Sequence, residues 1–169
     1  MKVDINQVPE YYRGYINQVG DAELVPLLIR SGDELVSTCR NLTENQAFYR
    51  YEIDKWSIKD IIQHLIDAER VFAYRALRFS RNDFTELEGF EQDDYAKDAE
   101  ADERPLHQLL NEFNNLRAST VDYFSSIDES KRKRKGVSSG VEMSVEILGY
   151  IISGHTLHHL NVIKEKYFK

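Results

Sequence analysis

The stretch "SGHTLHHLNVIKEKY", residues 153–167, places His155, His158 and His159 almost side by side. On an α-helix, at about 100° per residue, His155 and His159 lie about 40° apart and one turn from each other. Leu148, Ile151, Ile152 and Val162 fall on the same side. Both rings therefore face the core, whereas His158 sits about 60° to the other side of His155, on the flank. Two neutral imidazoles one turn apart have Cβ atoms about 5–6 Å from each other and can each turn a nitrogen to one point, which suits a single metal ion. Two ligands rarely hold zinc, and two buried histidines can equally satisfy each other or a carbonyl.

A third ligand has one good candidate, His64, in "KWSIKDIIQHLIDAER". It lies about 80° from the centre of its own helix's apolar stripe, at a border between two helices. From there it can reach a site shared with the C-terminal helix, or simply pack. His107 falls about 120° from the stripe of Leu106, Phe113 and Phe124 and is expected in solvent.

Four helical segments must position these rings, and no run of strict alternation competes with the 3.6-residue period. The first, about residues 22–42, carries Leu24, Leu27, Leu28, Leu35 and Leu42 on one stripe, with Asp21 as N-cap and Pro26 tolerated in the first turn. The second starts at Ser57, which forms a capping box with Asp60, and runs through Ile58, Ile61, Leu65, Ala68, Phe72, Ala76 and Phe79. The third follows Pro105 as first helical residue and carries Leu106, Leu109, Leu110, Phe113, Leu116, Thr120, Phe124 and Ile127. The fourth follows Ser144 and ends near Tyr167. Four such helices bury their stripes as an all-α four-helix bundle. Connections 43–56, 81–104 and 128–143 exceed the 2–8 residues usual between antiparallel neighbours, so crossovers are expected. The middle connection is acidic yet holds Phe84, Leu87, Phe90 and Tyr95, and reads as a cover packed across one end of the bundle.

At 169 residues the chain is expected to form one domain over residues 1–169. A net charge of −7 argues against nucleic acid as a partner. "KRKRK", residues 131–135, goes against that average and reads as a solvated loop rather than a phosphate patch. A single cysteine, Cys39, rules out an internal disulfide, and the first residues lack the apolar core of a signal peptide, so a cytoplasmic location is expected. Cys39 lies beside Leu35 and Leu42 and reads as packing. No apolar stretch reaches the 18 residues a membrane span needs. Tyr150, Leu157 and Phe168 form a second apolar stripe on the fourth helix, which needs cover from "VPEYYRGYINQV" or from a second subunit; a homodimer is the expected assembly.

The segments "KWSIKDIIQHLIDAERVFAYRALRFSRND" and "SVEILGYIISGHTLHHLNVIKEKY" resemble the DinB-like (DinB/YfiT) superfamily, and the likeness runs from about Tyr11 to Tyr167. Its pattern of one histidine in the second helix and His-x-x-x-His in the fourth maps onto His64, His155 and His159. The resemblance implies a four-helix bundle with crossover topology and a divalent metal, zinc or nickel, on those three residues. It further implies a small-molecule substrate: relatives include transferases that join a low-molecular-weight thiol cosubstrate to an electrophile, and a thiol-dependent isomerase. His158 has no ligand role in the pattern.

Three neutral imidazoles leave an ion its full charge and an open position, as in catalytic zinc sites. Such an ion activates water or a thiol, so hydrolysis and thiol S-transfer are both open, and neither needs Cys39. Hydrolysis asks for a general base, which no spacing names; Asp67, Glu69 and Glu146 are candidates, each more often an exposed helix charge. Arg75 falls about 20° from His64, three turns on, and reads either as a surface ion-pair partner or as a contact for an anionic substrate. Trp56, with Tyr51 and Phe48 upstream, reads as an aromatic plug. The alternative from another class is a non-catalytic stress protein that sequesters a metal or ligand.

Overall fold

The computed structural model describes residues 3–168. Its helices are α1 (Arg13–Ile16), α2 (Leu24–Cys39), α3 (Glu44–Phe48), α4 (Ile58–Ser80), α5 (Gln92–Asp98), α6 (Leu106–Ser126), α7 (Glu129–Arg132) and α8 (Val145–Lys166). A hairpin of β1 (Lys135–Ser138) and β2 (Val141–Ser144) precedes α8. Among the described residues no helix is long and apolar enough to cross a membrane.

The long helices begin where their caps dictate. Ser57 has extended backbone; its hydroxyl accepts from Asp60 N–H at 3.1 Å, and its own N–H donates to the Asp60 carboxylate at 2.9 Å, completing the expected capping box. Ser144 accepts from Ile147 N–H at 3.1 Å and starts α8. Two starts differ from expectation. The cap position of α2 is Glu23 rather than Asp21, because residues 17–21 are still in a turn before the helix begins. Pro105 is the N-cap of α6, not its first residue; Leu106 N–H donates instead to Glu44 Oε1 at 2.9 Å.

The α2 and α4 helices each pack on both α6 and α8. Successive long helices α2 and α4 therefore face each other across the bundle, as do α6 and α8, and their connections must cross its ends, which is why they are long. The bundle with long crossovers is the architecture expected.

The core divides in two. One apolar cluster gathers Leu24, Leu27 and Leu28 of α2 with Phe72 and Phe79 of α4, Phe124 of α6, and Leu148 and Ile152 of α8. The other gathers Leu35, Ile62, Ile66, Leu109, Phe113, Leu160 and Ile163. Between them every long helix contributes buried polar groups: Ser31, then His64 and Glu69, then Arg117 and Thr120, then Ser153, His155 and Thr156. This polar layer holds the candidate site.

The connections carry more structure than their composition announces. Ser139 and Gly140 both have positive φ, 52° and 73°, the two-residue turn that matches strand twist, and residues 135–138 pair antiparallel with 141–144. A Cβ on Gly136 would lie 2.1 Å from the Phe79 ring, so only glycine lets the strand close on α4. Leu87 of the acidic connection bonds to the hairpin, donating to Val137 O at 3.1 Å and accepting from Ser139 N–H at 2.9 Å. Of residues 131–135, Lys131 and Arg132 end α7 and Lys135 opens β1, with Lys133 and Arg134 as the connection between them. Lys131, Lys133 and Lys135 pair with Asp128, Glu129 and Glu142, while Arg132 and Arg134 donate to the carbonyls of Phe124 and Ser80. The second stripe of α8 is covered in part by the chain's own N-terminal segment: Tyr150 is buried and Leu157 half-buried, while Phe168, past the end of the helix, stays exposed. Tyr150 donates to Ala22 O at 3.1 Å, and a Cβ on Gly154 would meet the Tyr15 carbonyl oxygen at 2.2 Å.

Candidate metal centre

His64 reaches the middle of the bundle from α4, and His155 and His159 reach it from α8, one turn apart. Nε2 of His155 lies 3.0 Å from Nε2 of His64 and 3.0 Å from Nε2 of His159. One ligand atom from each of the three rings lies within 4.8 Å of the others. The Nε2 atom of a neutral imidazole offers either one proton or one lone pair, so one His155 nitrogen cannot bond well to both neighbours. On a tetrahedral ion about 2.0–2.1 Å from each ligand, ligand nitrogens are spaced about 3.3–3.4 Å apart. Two of the separations, at 3.0 Å, are close to that spacing and all three ligand atoms lie within 4.8 Å of one another, a set that can hold a divalent cation. His64 is more deeply placed than its angle on the helix suggested: it is buried, because the Trp56 ring, 4.8 Å away, closes over it. Trp56 also stacks on His159 at 6.2 Å, with 21° between the planes, so the expected plug is a wall of the site as well. His158 stays half-buried on the flank beside Tyr15, and His107 is exposed, both as expected.

Burial keeps these imidazoles neutral. It lowers His64 from 6.5 to about 4, and it holds His155 and His159 well below 6.5, with the other rings' charges adding to the effect. In the unfolded chain the same groups would take a proton near 6.5. Metal-free protein is therefore expected to keep its full stability above pH 6.5 and to lose it as the pH falls from 6.5 towards 4, His64 alone accounting for roughly 3 kcal/mol. Urea melts of chelated protein across that range check the sign; a midpoint flat from pH 7 to pH 4 would contradict it.

A cavity of about 430 Å³ opens beside His64 and His155. Tyr11, Tyr12 and Tyr15 from the N-terminal segment wall it, with Phe72 and Arg75 of α4, Phe90 to Asp93 of the acidic connection, and Ser139 and Val141 of the hairpin. The acidic connection thus covers the site through residues 89–93, but it runs along α4 rather than across one end of the bundle, and Phe84 and Tyr95 are exposed. The Tyr15 ring lies 4.9 Å from His155. Burial raises the Tyr15 hydroxyl to about 12 and also raises Tyr12, against the opposing pull of Arg75, so both remain proton donors at neutral pH. "VPEYYRGYINQV" was legible as cover; nothing in it announced that its tyrosines reach the histidines.

The charged candidates fall out differently from expectation. Glu69 is no exposed helix charge: it is 2% exposed and paired with Arg117, whose Nη2 donates to it at 2.8 Å and whose Nε donates to both carboxylate oxygens. Arg117 also donates to Leu28 O at 2.8 Å, Ser31 Oγ at 2.9 Å and Thr156 Oγ1 at 2.9 Å, tying all four long helices beside His155. The reason is position. Glu69 follows Leu65 by four residues and precedes Phe72 by three, so it lies on the apolar stripe. Asp67 is half-buried, accepts from Gln63 at 3.0 Å, and is raised mainly by burial. Glu146 lies nine residues before His155, about 13 Å along α8. None of the three lines the cavity. Arg75, expected most often at the surface, is buried in the cavity wall. Cys39 is buried in the apolar half beyond the histidines, and burial raises its thiol to about 12, so it packs and does not react.

The family description DinB superfamily matches residues 27–163, a span that includes all three histidines. Among solved structures, YfiT from Bacillus subtilis, described as a probable metal-dependent hydrolase with an unusual four-helix bundle topology, matches with a TM-score of 0.76. The two are 14% identical, and the match covers 84% of this chain and 82% of that one. No curated protein matches.

Proposed function

The chain belongs to the DinB superfamily, and from that membership we propose that it is a metal-dependent hydrolase of a small molecule, with His64, His155 and His159 holding one divalent ion. The observation that carries the reading is the convergence of three neutral Nε2 atoms on one point beside an open cavity. YfiT, similar in fold and itself described as a probable metal-dependent hydrolase, supports it. Zinc and nickel both suit imidazole nitrogen. Residues 1–169 act in this reading as one domain.

When bound, a divalent ion on three neutral ligands supplies Lewis acidity and lowers the pKa of water towards about 7. The chain's own residues do the rest. The tyrosine hydroxyls of Tyr12 and Tyr15, held protonated by burial, donate to negative charge that develops on a substrate oxygen. Trp56, Phe72 and Phe90 exclude bulk water, and residues 90–93 close the side that faces solvent.

Thiol S-transfer to an electrophile is the second reading, and one observation favours it. The carboxylates on the cavity wall, Glu91 and Asp93, are exposed, so among the described residues no buried carboxylate stands in the cavity as base. A thiol cosubstrate deprotonated at the ion would need none.

Untagged protein assayed on small esters and amides, and on thiol–electrophile pairs, separates these readings. Stripping the metal with dipicolinate should lower turnover at least about a hundredfold, with recovery on adding zinc or nickel. Turnover that survives chelation sinks both readings. Full metal occupancy with no turnover of any pair leaves the non-catalytic binder.

A further inference from the structure

Two buried arginines lie on the apolar stripes of this bundle, and their surroundings differ. Arg117 carries its countercharge, Glu69. Arg75 is equally buried at 2% exposed, yet among the described residues no carboxylate pairs with it. Its Nη2 donates to Glu88 O at 2.9 Å and to Ser139 Oγ at 3.3 Å, both neutral acceptors. The Tyr12 hydroxyl stands beside the guanidinium. Among the described residues Nε and Nη1 donate to no carboxylate or carbonyl, and Arg75 lines the cavity together with His64 and His155. A guanidinium out of water without a countercharge is costly unless something supplies one.

The distance to the histidines is short. The guanidinium carbon lies 5.8 Å from the centre of the Phe72 ring, and that ring lies 6.4 Å from the His155 ring. A positive charge and the three histidines therefore flank one apolar surface, within a cavity whose roughly 430 Å³ suits a small organic molecule.

We infer that the substrate is a monocarboxylate with an apolar body, its carboxylate held by Arg75 and its reacting group turned towards the histidines. Nε and Nη1 can each donate one hydrogen bond to a carboxylate; a parallel pair forms when Nη2 gives up its longer 3.3 Å contact to Ser139, and the Tyr12 hydroxyl can add to it. Phe72, Phe90 and Val141 take the apolar body. Glu91 and Asp93, exposed on the same wall, repel a second negative charge within the screening distance of about 8 Å, which selects a monoanion over a dianion. The inference rests on the hydrolase reading for the role of the histidines, but not for the carboxylate site itself.

The test is calorimetric titration of 4-phenylbutyrate, its neutral amide and the dianion phenylsuccinate into wild-type protein, Arg75→Met and Arg75→Lys. Metal content is measured on each sample. Because a bound ion can itself attract a carboxylate, each titration is repeated after chelation. The acid should bind at least about tenfold more tightly than the amide and than phenylsuccinate, with or without metal. Arg75→Met should lose that tenfold while keeping wild-type metal content, and Arg75→Lys should fall between. Equal affinity for acid and amide in the wild-type protein overturns the inference, whatever the variants do. So does unchanged acid binding by Arg75→Met, or no saturable binding of the acid at millimolar concentration. Wild-type protein that takes up no metal yet binds the acid through Arg75 would overturn the hydrolase reading and uphold the carboxylate site.

Discussion

Replacing His155 with alanine is expected to lower bound metal from about one ion per chain to background, an affinity loss of at least about a hundredfold. His155 is the hub of the cluster: its Nε2 is 3.0 Å from both other nitrogens, while the ligand atoms of all three rings lie within 4.8 Å of one another. Without it, only two rings from different helices remain, His64 and His159, and two ligands rarely hold a zinc ion. The fold should survive, because the variant also removes a neutral imidazole that is costly to keep unpaired in the core. His158→Ala, which alters the half-buried flank beside Tyr15 and His159 but removes no ligand atom, should keep full metal. Metal analysis of both variants, with far-UV circular dichroism as the folding control, decides the matter. Full occupancy in His155→Ala would remove the histidines as the ion's holders. The thermal stabilisation that added zinc gives the wild-type protein, about 4 kcal/mol at a thousandfold excess over Kd, should vanish in the same variant.

The largest loss of stability is expected at Glu69. In Glu69→Ala the Arg117 guanidinium stays buried with its countercharge gone, a situation that costs about 3–5 kcal/mol. For a chain of this size that is a drop of roughly 10 °C or more in Tm. Replacing both partners, Glu69→Leu with Arg117→Met, should be milder than either single change, since no charge is then stranded. Chemical denaturation of the three variants measures this. A Glu69→Ala midpoint within about 1 kcal/mol of wild type would mean that water, not the pair, satisfies Arg117.

Much of this site was legible in residue spacing. The i, i+4 pair in α8 faces inward as its angle required, Ser57 and Ser144 cap where a side-chain acceptor was needed, and His107 stays in solvent. The family pattern that singled out His64 was needed as well, since the angle of His64 on α4 pointed only to a helix border. The buried charges were harder to read. Arg117 sits seven residues from both Leu110 and Phe124, squarely on its stripe, and Glu69 and Arg75 likewise flank Phe72. Charge at such a position argues for a partner or a ligand in the core, but periodicity counts only apolar residues and passes over them. The hairpin was illegible for a different reason. Its strands are four residues each, too short for alternation to show, and they are held by Leu87 and by Phe79 against Gly136, contacts distant in sequence.

The division of the core has a consequence for how the protein comes apart. Each apolar half has its own aliphatic and aromatic packing, and the layer between them is joined by the hydrogen bonds of Arg117, with Leu157 the apolar residue packed against both halves. The halves are then distinct cooperative units, and opening can start in one without melting the other, which amide hydrogen exchange reads as two protection classes. An ion bridging α4 and α8 at that seam would fuse the two classes into one, so occupancy of the centre would set the rigidity of the whole bundle.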